Sequence, residues 1–353
     1  MKLSTQDLRQ IRLSRQHLTE KTDKHAVCRD LNGIQAQFTV NVEHSLKIRC
    51  NEKIIKDGYG DGLVKNWTVR GTVHVFNESD LPLYKCQDER NPYRSHDWGK
   101  TKLLAQRHCR IHPDRLEYIA KLIIDKVSDG VTAREDIKKE CYSAGVTEDE
   151  GAYVFSQWGG LMRSLCERGF LCYKAQEKKE FMICPPYTPM DRDEAPLEQV
   201  RRYFTNYAPA TTRDASYFFG WPQTIMKGIM HKLPLERTEV DGKTHYQIGA
   251  LKSDYPAVPH CIPLAGFDQL MLGYRKQESV FLPQKCLRGI FNLAGIVMPA
   301  ILLDGTVAGR WKRKGANILF ELFGDVPAKS KKHIESAAET LFGEIKRIEW
   351  KMI

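Results

Sequence analysis

The sequence predicts an α+β fold: three tandem helical units, each closed by a β-hairpin, then a β-barrel-like C-terminal domain with a terminal helix. Three observations carry this expectation. Helical periodicities come in groups, the groups end in strand–turn–strand signals, and beyond Pro259 strand signals dominate.

The second unit is the plainest. Leu116, Ile119, Leu122, Ile123 and Val127 lie on one helical face. Thr132 with Glu135, and Thr147 with Glu150, have the spacing of capping boxes that open two more helices. The second of these is expected to run through Phe155, Trp158, Leu161 and Leu165 to Gly169. Phe170–Tyr173 and Glu180–Ile183 then read as two strands around a polar turn. Helix, helix, helix, hairpin is the order of a winged helix.

The order returns between Pro196 and Ile248. A helix over Leu197–Tyr207 is followed by one from Thr212 that Gly220 ends, and Pro222 suits the first turn of the next. Asp241-Gly242 between Leu235–Val240 and Lys243–Ile248 is a strong two-residue hairpin signal. A looser version opens the chain, with helices over Thr5–Gln16, His25–Gly33 and Phe38–Ile48 and a strand over Lys65–Val75. After Pro259, a second Asp-Gly turn at Asp304-Gly305, an apolar strand at Ile318–Leu322 and an amphipathic helix over Lys331–Arg347 predict the small β-rich domain. The expected division is therefore 1–100, 101–190, 191–258 and 259–353.

Composition limits the function. The 353 residues are 42% hydrophobic and 28% charged, and no apolar run reaches the roughly 20 residues that cross a bilayer. Met1–Asp7 lacks an apolar signal region, so a cytoplasmic protein with no membrane partner is expected. The ten cysteines contain no C-x-x-C pair and read as buried thiols, not zinc ligands or a disulfide frame. With 54 Lys and Arg against 44 Asp and Glu, the net charge of +10 favours a polyanionic partner such as DNA. Carboxylates are not clustered as a metal-dependent nuclease requires, and neither metal nor cofactor is expected.

Gln35-Ala36-Gln37 and Asn66–His74 stand out against this background. Taken alone, two glutamines near a helix start are a solvated surface. In company they resemble a known family, the winged-helix DNA glycosylases of the AlkZ-like group. The resemblance runs through Leu13-Ser14-Arg15-Gln16, Gly33–Gln37, Arg70–His74, Tyr207–Thr211, Phe267–Tyr274 and Asp304–Trp311. It implies tandem winged helices and a C-terminal barrel around duplex DNA, with excision of N7-alkylated purines and unhooking of interstrand crosslinks as the activity. The family's signature is Gln, an apolar residue, then Gln, which makes Gln35 and Gln37 the catalytic candidates. The related YcaQ-like branch ends its signature in Asp, so Gln37 places this chain with the first branch. Ala208 stands where the family has Gly before Pro.

The remaining candidates are contacts. Arg70 and His74 either touch phosphates or the lesion strand, or are alternate strand residues facing solvent. Arg310, Lys312, Arg313 and Lys314 around Trp311 suit a DNA backbone contact or a solvated hairpin, with Trp311 a core candidate. Asp268 is either a turn cap or a catalytic carboxylate, and Lys47 and Lys65 lie near the signature without establishing lyase chemistry. A monomer is expected, because in-chain repeats replace the pairing of shorter dimeric regulators. The competing reading is a non-catalytic winged-helix protein that binds DNA as a regulator or damage-recognition factor.

Overall fold

The computed structural model describes residues 2–54, 62–68, 70–88, 90–93, 97–156, 159–174 and 180–353. The expectations for Trp158 and for the turn before Glu180 lie outside the described residues. The chain gathers into two units: Met1–Lys56 together with Gln199–Ile353, and Asp57–Glu198.

In the second unit, Leu63–Trp67 and Val73–Asn77 pair antiparallel with Lys65 opposite Val75. The single strand expected over Lys65–Val75 is therefore a hairpin. Gly71, in the left-handed region at φ 70°, donates to the Thr68 carbonyl at 3.0 Å and reverses the chain. Leu63–Trp67 also pairs with Leu171–Tyr173, which pairs with Phe181–Ile183, so both hairpins share one sheet. Helices Trp98–Cys109, Pro113–Ser128, Arg134–Ser143, Glu148–Val154 and Gly160–Glu167 cover a core that includes Leu116, Ile119, Ile123, Ile137, Leu161, Leu165 and Phe181.

Two local expectations meet different fates here. Thr147 and Glu150 form the capping box. Thr132 does not: Ala133 is the N-cap, while the Thr132 carbonyl accepts from Phe181 N at 2.8 Å, so strand pairing takes the residue away from the helix end. The long helix expected from Thr147 is broken before Gly160, whose φ is 76° and where a β-carbon would run into the Tyr153 carbonyl.

In the first unit, helices Thr5–Arg15, Lys24–Asp30 and Thr39–Lys47 come from the N-terminal part. From the C-terminal part come helices Thr212–Phe219 and Gln223–Met230, then the hairpin Glu236–Val240/Lys243–Gln247. Its turn residues Asp241 and Gly242 have φ 46° and 74°, the mirror-image turn expected of Asp-Gly. A short strand missed in the sequence, Lys2–Leu3, adds to this hairpin in parallel.

The C-terminal sheet has the order Arg347–Met352, Asn317–Leu322, Thr306–Lys314, Ala300–Leu303, Cys261–Pro263. It is open, and the expected barrel is not closed. The helix Ala328–Phe342 covers a face through Ile334 and Ala338, in a core with Ile301, Trp311, Ile318 and Phe320, so burial does not require closure. The helix ends at Gly343, before the predicted Arg347, and the chain returns as a strand parallel to Asn317–Leu322. No helix among the described residues is long and apolar enough to cross a membrane, and no group of metal-ligating side chains is present among them.

Candidate active site

The glutamine segment is built from a reversal of the chain. After the helix Lys24–Asp30, Asn32 and Gly33 take φ values of 54° and 86°, and Gly33 N donates to the Cys28 carbonyl at 2.7 Å, closing the helix end. Asn32 Nδ2 donates to the Gln199 carbonyl at 3.1 Å and Tyr207 Oη to the Leu31 carbonyl at 2.9 Å, fixing the reversal. Ile34–Gln35 then runs extended. Ala36 is fully buried, Gln35 is 5% exposed and Gln37 is open to solvent. Neither glutamine side chain is tied by a hydrogen bond among the described residues. The helix starts at Thr39, so the pair precedes the helix and does not decorate its first turn.

That helix and the residues just after it are held on the C-terminal loop 263–268 by ring, polar and ionic contacts. Phe38, its N-cap residue, lies 5.9 Å from the Phe267 ring, centroid to centroid. Asn41 lies where a β-carbon at Gly266 would come within 3.1 Å of its Nδ2. His44 Nε2 is 2.7 Å from the Pro263 carbonyl, so Nε2 carries the proton and donates, and the ring stacks on Trp311 at 5.1 Å. Burial holds that imidazole neutral, with its pKa lowered to about 4. Beyond the helix end, Arg49 makes a two-pronged pair with Asp268, Nη1–Oδ2 2.9 Å and Nη2–Oδ1 2.7 Å, with both side chains fully buried.

Asp268 also accepts from Leu270 N at 2.9 Å and Ser45 Oγ at 3.3 Å. Its oxygens are saturated and sealed from solvent, so it caps a turn and neutralises Arg49. Of its two sequence readings, the turn cap is the one its contacts support. Behind it the sequence motifs meet in a buried polar frame. Arg12 Nε and Nη2 donate to the Pro209 carbonyl at 2.9 and 2.7 Å, with the guanidinium 4.0 Å from the Tyr274 ring centre. Gln16 Nε2 donates to Tyr274 Oη at 2.9 Å, and that hydroxyl donates to the Tyr207 carbonyl at 2.9 Å. Arg12 and Arg49 carry no local signal in the sequence: Arg49 sits in Leu46-Lys47-Ile48-Arg49-Cys50, where it reads as one of two ordinary basic residues.

The expected DNA contacts are placed as follows. In the second unit, Arg70 is half-buried in the turn that follows Trp67. His74 has no exposed surface; Thr68 Oγ1 and the Thr72 carbonyl lie 3.1 and 3.0 Å from its Nδ1. Burial, helped by the Arg70 charge, drops its pKa to about 3. A buried neutral ring is not a phosphate contact, so His74 acts on the shape of the turn.

In the first unit, Arg310 is committed to Glu321, Nε–Oε2 2.7 Å, and to the Gly289 carbonyl at 3.0 Å. Lys312 Nζ lies 3.0 Å from the same carboxylate, and hydrogen bonding to Arg310 holds Glu321 below the usual carboxylate range. Trp311 is core, with Nε1 donating to the Leu264 carbonyl at 3.0 Å. Arg313 is exposed and lies over the Phe342 ring at 4.6 Å, and Lys314 is exposed beside it.

The fold agrees with what comparison with known proteins returns. Residues 28–342 match the family of AlkZ-like DNA glycosylases, and the chain belongs to that family. An interstrand DNA cross-link repair glycosylase of Streptomyces sahachiroi is 23% identical, with 96% of this chain and 95% of that protein aligned. The solved structure of the Streptomyces sahachiroi DNA glycosylase AlkZ superposes over the whole of both chains with a TM-score of 0.78 at 21% identity. The protein is thus a DNA glycosylase by family, with a relative that acts in crosslink repair.

Proposed function

We propose that this chain hydrolyses the N-glycosidic bond of N7-alkylated purines in duplex DNA, with Gln35 and Gln37 positioning the water, and that it unhooks interstrand crosslinks joined through such bases. The observation that carries the reading is the glutamine pair itself: two amides two residues apart around a buried alanine, on a segment anchored at both ends, one of them open to solvent.

The chemistry suits weak polar groups. An N7-alkylated purine is already cationic and leaves neutral, so the strong acid that an undamaged purine demands is not needed. What remains is to place a water and to lower the cost of positive charge on the sugar. A glutamine carbonyl accepts from the water and faces the developing charge; it has no basicity at neutral pH. Selectivity follows from the same weakness, because undamaged purines lack the built-in leaving-group charge.

The reaction is monofunctional in this reading. Lys47 stands at the other end of the Thr39–Lys47 helix, about 12 Å along the axis from Thr39. A Schiff base with the abasic sugar needs an amine at the reacting carbon.

DNA binding is assigned to winged-helix modules over 101–190 and 191–258, where helices precede a hairpin, to a looser module within 1–100, and to 259–353. Arg70, Lys312 and Arg313 are the phosphate contacts, and Arg310 holds the hairpin that carries the last two. The protein works as a cytoplasmic monomer without cofactor.

A duplex with one 7-methylguanine, followed by alkaline cleavage, tests the proposal. The wild type produces lesion-dependent strand breaks. The Gln35→Ala, Gln37→Ala double variant loses about 100-fold or more in single-turnover rate, on the scale of removing a transition-state polar group. Excision at the wild-type rate by the double variant removes the glutamines from the chemistry. Tight binding without abasic sites by the wild type assigns the protein to DNA binding alone.

A further inference from the structure

The residue after the glutamine pair is a large aromatic in an unfavourable place. Phe38 is 45% exposed and Val40, two residues on, is 60% exposed, while Thr39 between them is 2% exposed. An N-cap position favours Ser, Thr, Asp or Asn, and Phe38 supplies no cap hydrogen bond to its helix. Its ring serves neither the helix end nor a closed core.

The ring is nevertheless held. Phe267 lies 5.9 Å away at 35°, is 7% exposed, and is fixed in the left-handed region at φ 56° next to the saturated Asp268. Phe38 therefore presents ring surface to solvent in an orientation set by a rigid neighbour. The adjacent residue toward the N-terminus is Gln37. A fixed exposed aromatic beside a nucleic-acid site is a stacking surface, since every base has a π-face and apolar side chains enter opened base steps.

We infer that Phe38, with Val40 beside it, is a stacking wedge that contacts the nucleotide next to the damaged one and holds the duplex locally open for Gln35 and Gln37. This rests on the proposed glycosylase reading and adds a residue in direct contact with DNA. The wedge lies on the same segment as the glutamines, so a nucleotide bound on Phe38 is placed by backbone geometry relative to the water site. Binding to intact duplex through phosphates does not need it.

The test separates the wedge from the chemistry. A duplex carries 2-aminopurine beside 7-methylguanine, and its fluorescence is followed on mixing, before any base is released. Wild type gives a rise from unstacking. Phe38→Ala loses that rise and slows single-turnover excision about tenfold or more, the loss expected for one base–aromatic stack. Phe38→Trp restores both. The Gln35→Ala, Gln37→Ala variant keeps the fluorescence rise while excision fails. A rise of wild-type size in Phe38→Ala, or none in wild type, overturns the inference whatever the excision rates are. Wild-type excision by the glutamine variant overturns the water-positioning reading and leaves the wedge judged by fluorescence alone.

Discussion

His44 shows what single residues do in this molecule. Its neutral ring donates to Pro263 and stacks on Trp311, so protonation adds an unpaired charge to a buried site. The folded-state pKa of about 4 lies below the ordinary 6.5. The unfolded chain therefore binds more protons between these values, and stability falls as pH drops from 6.5 to 4, by about 3 kcal/mol for this group. His74, with a pKa of about 3, adds a loss of the same sign that extends lower. Urea titrations at pH 7 and pH 5 should show a lower midpoint at pH 5, and His44→Gln should reduce that difference without abolishing it, because His74 still contributes. Equal midpoints in the wild type contradict it. Neither role is legible locally: His44 reads as a helix-face residue until Pro263 and Trp311, more than 200 positions away, are brought to it. Asp268 shows the same limit in part: the turn cap is one of its two sequence readings and is the one formed, whereas its pairing with Arg49 is visible only in the fold.

At the scale of elements, local signals were informative where they were self-sufficient. Asp241-Gly242 and Asp304-Gly305 both form their turns, because the needed positive φ values belong to the residues themselves. Thr147 caps its helix and Glu150 answers it, also pairing with Arg115 Nε at 2.8 Å. Thr147→Ala should destabilise the Asp57–Glu198 unit by about 1 kcal/mol, read as a lower unfolding midpoint. Thr132→Ala leaves the helix cap untouched because Ala133 holds that place. Thr132 misled because strand pairing outcompetes a cap that the sequence alone permits. The strands Lys2–Leu3 and Arg347–Met352 were missed because each is created by its partner: one joins a hairpin from residues 236–247, the other follows a helix crossover. Ile348 and Trp350 did carry the alternation of a half-buried strand.

For the whole molecule, net charge and family agree on the partner. A chain of +10 that belongs to a DNA glycosylase family should bind duplex with an affinity that falls steeply with salt. Lys312→Ala and Arg313→Ala should each reduce the slope of log affinity against log salt by about 1, for damaged and undamaged duplex alike. Unchanged slopes in both variants remove this hairpin from the contact surface. The glutamine signature was legible in the sequence through its motif. The frame that supports it was not, because Arg12, Gln16 and Arg49 find their partners at Pro209, Tyr274 and Asp268.

That frame has a consequence for how the protein is made. The glutamines are translated well before Asp268, and the loop that seats their helix is not complete until that residue is made. Throughout the synthesis of the intervening stretch, the nascent N-terminal segment has no Asp268 for its arginine and no Trp311 for its histidine. A ribosome that stalls between these points releases a chain that carries the signature without its seat. The anchored segment therefore forms only once the chain through Trp311 has been made, and chains released earlier expose it to proteolysis.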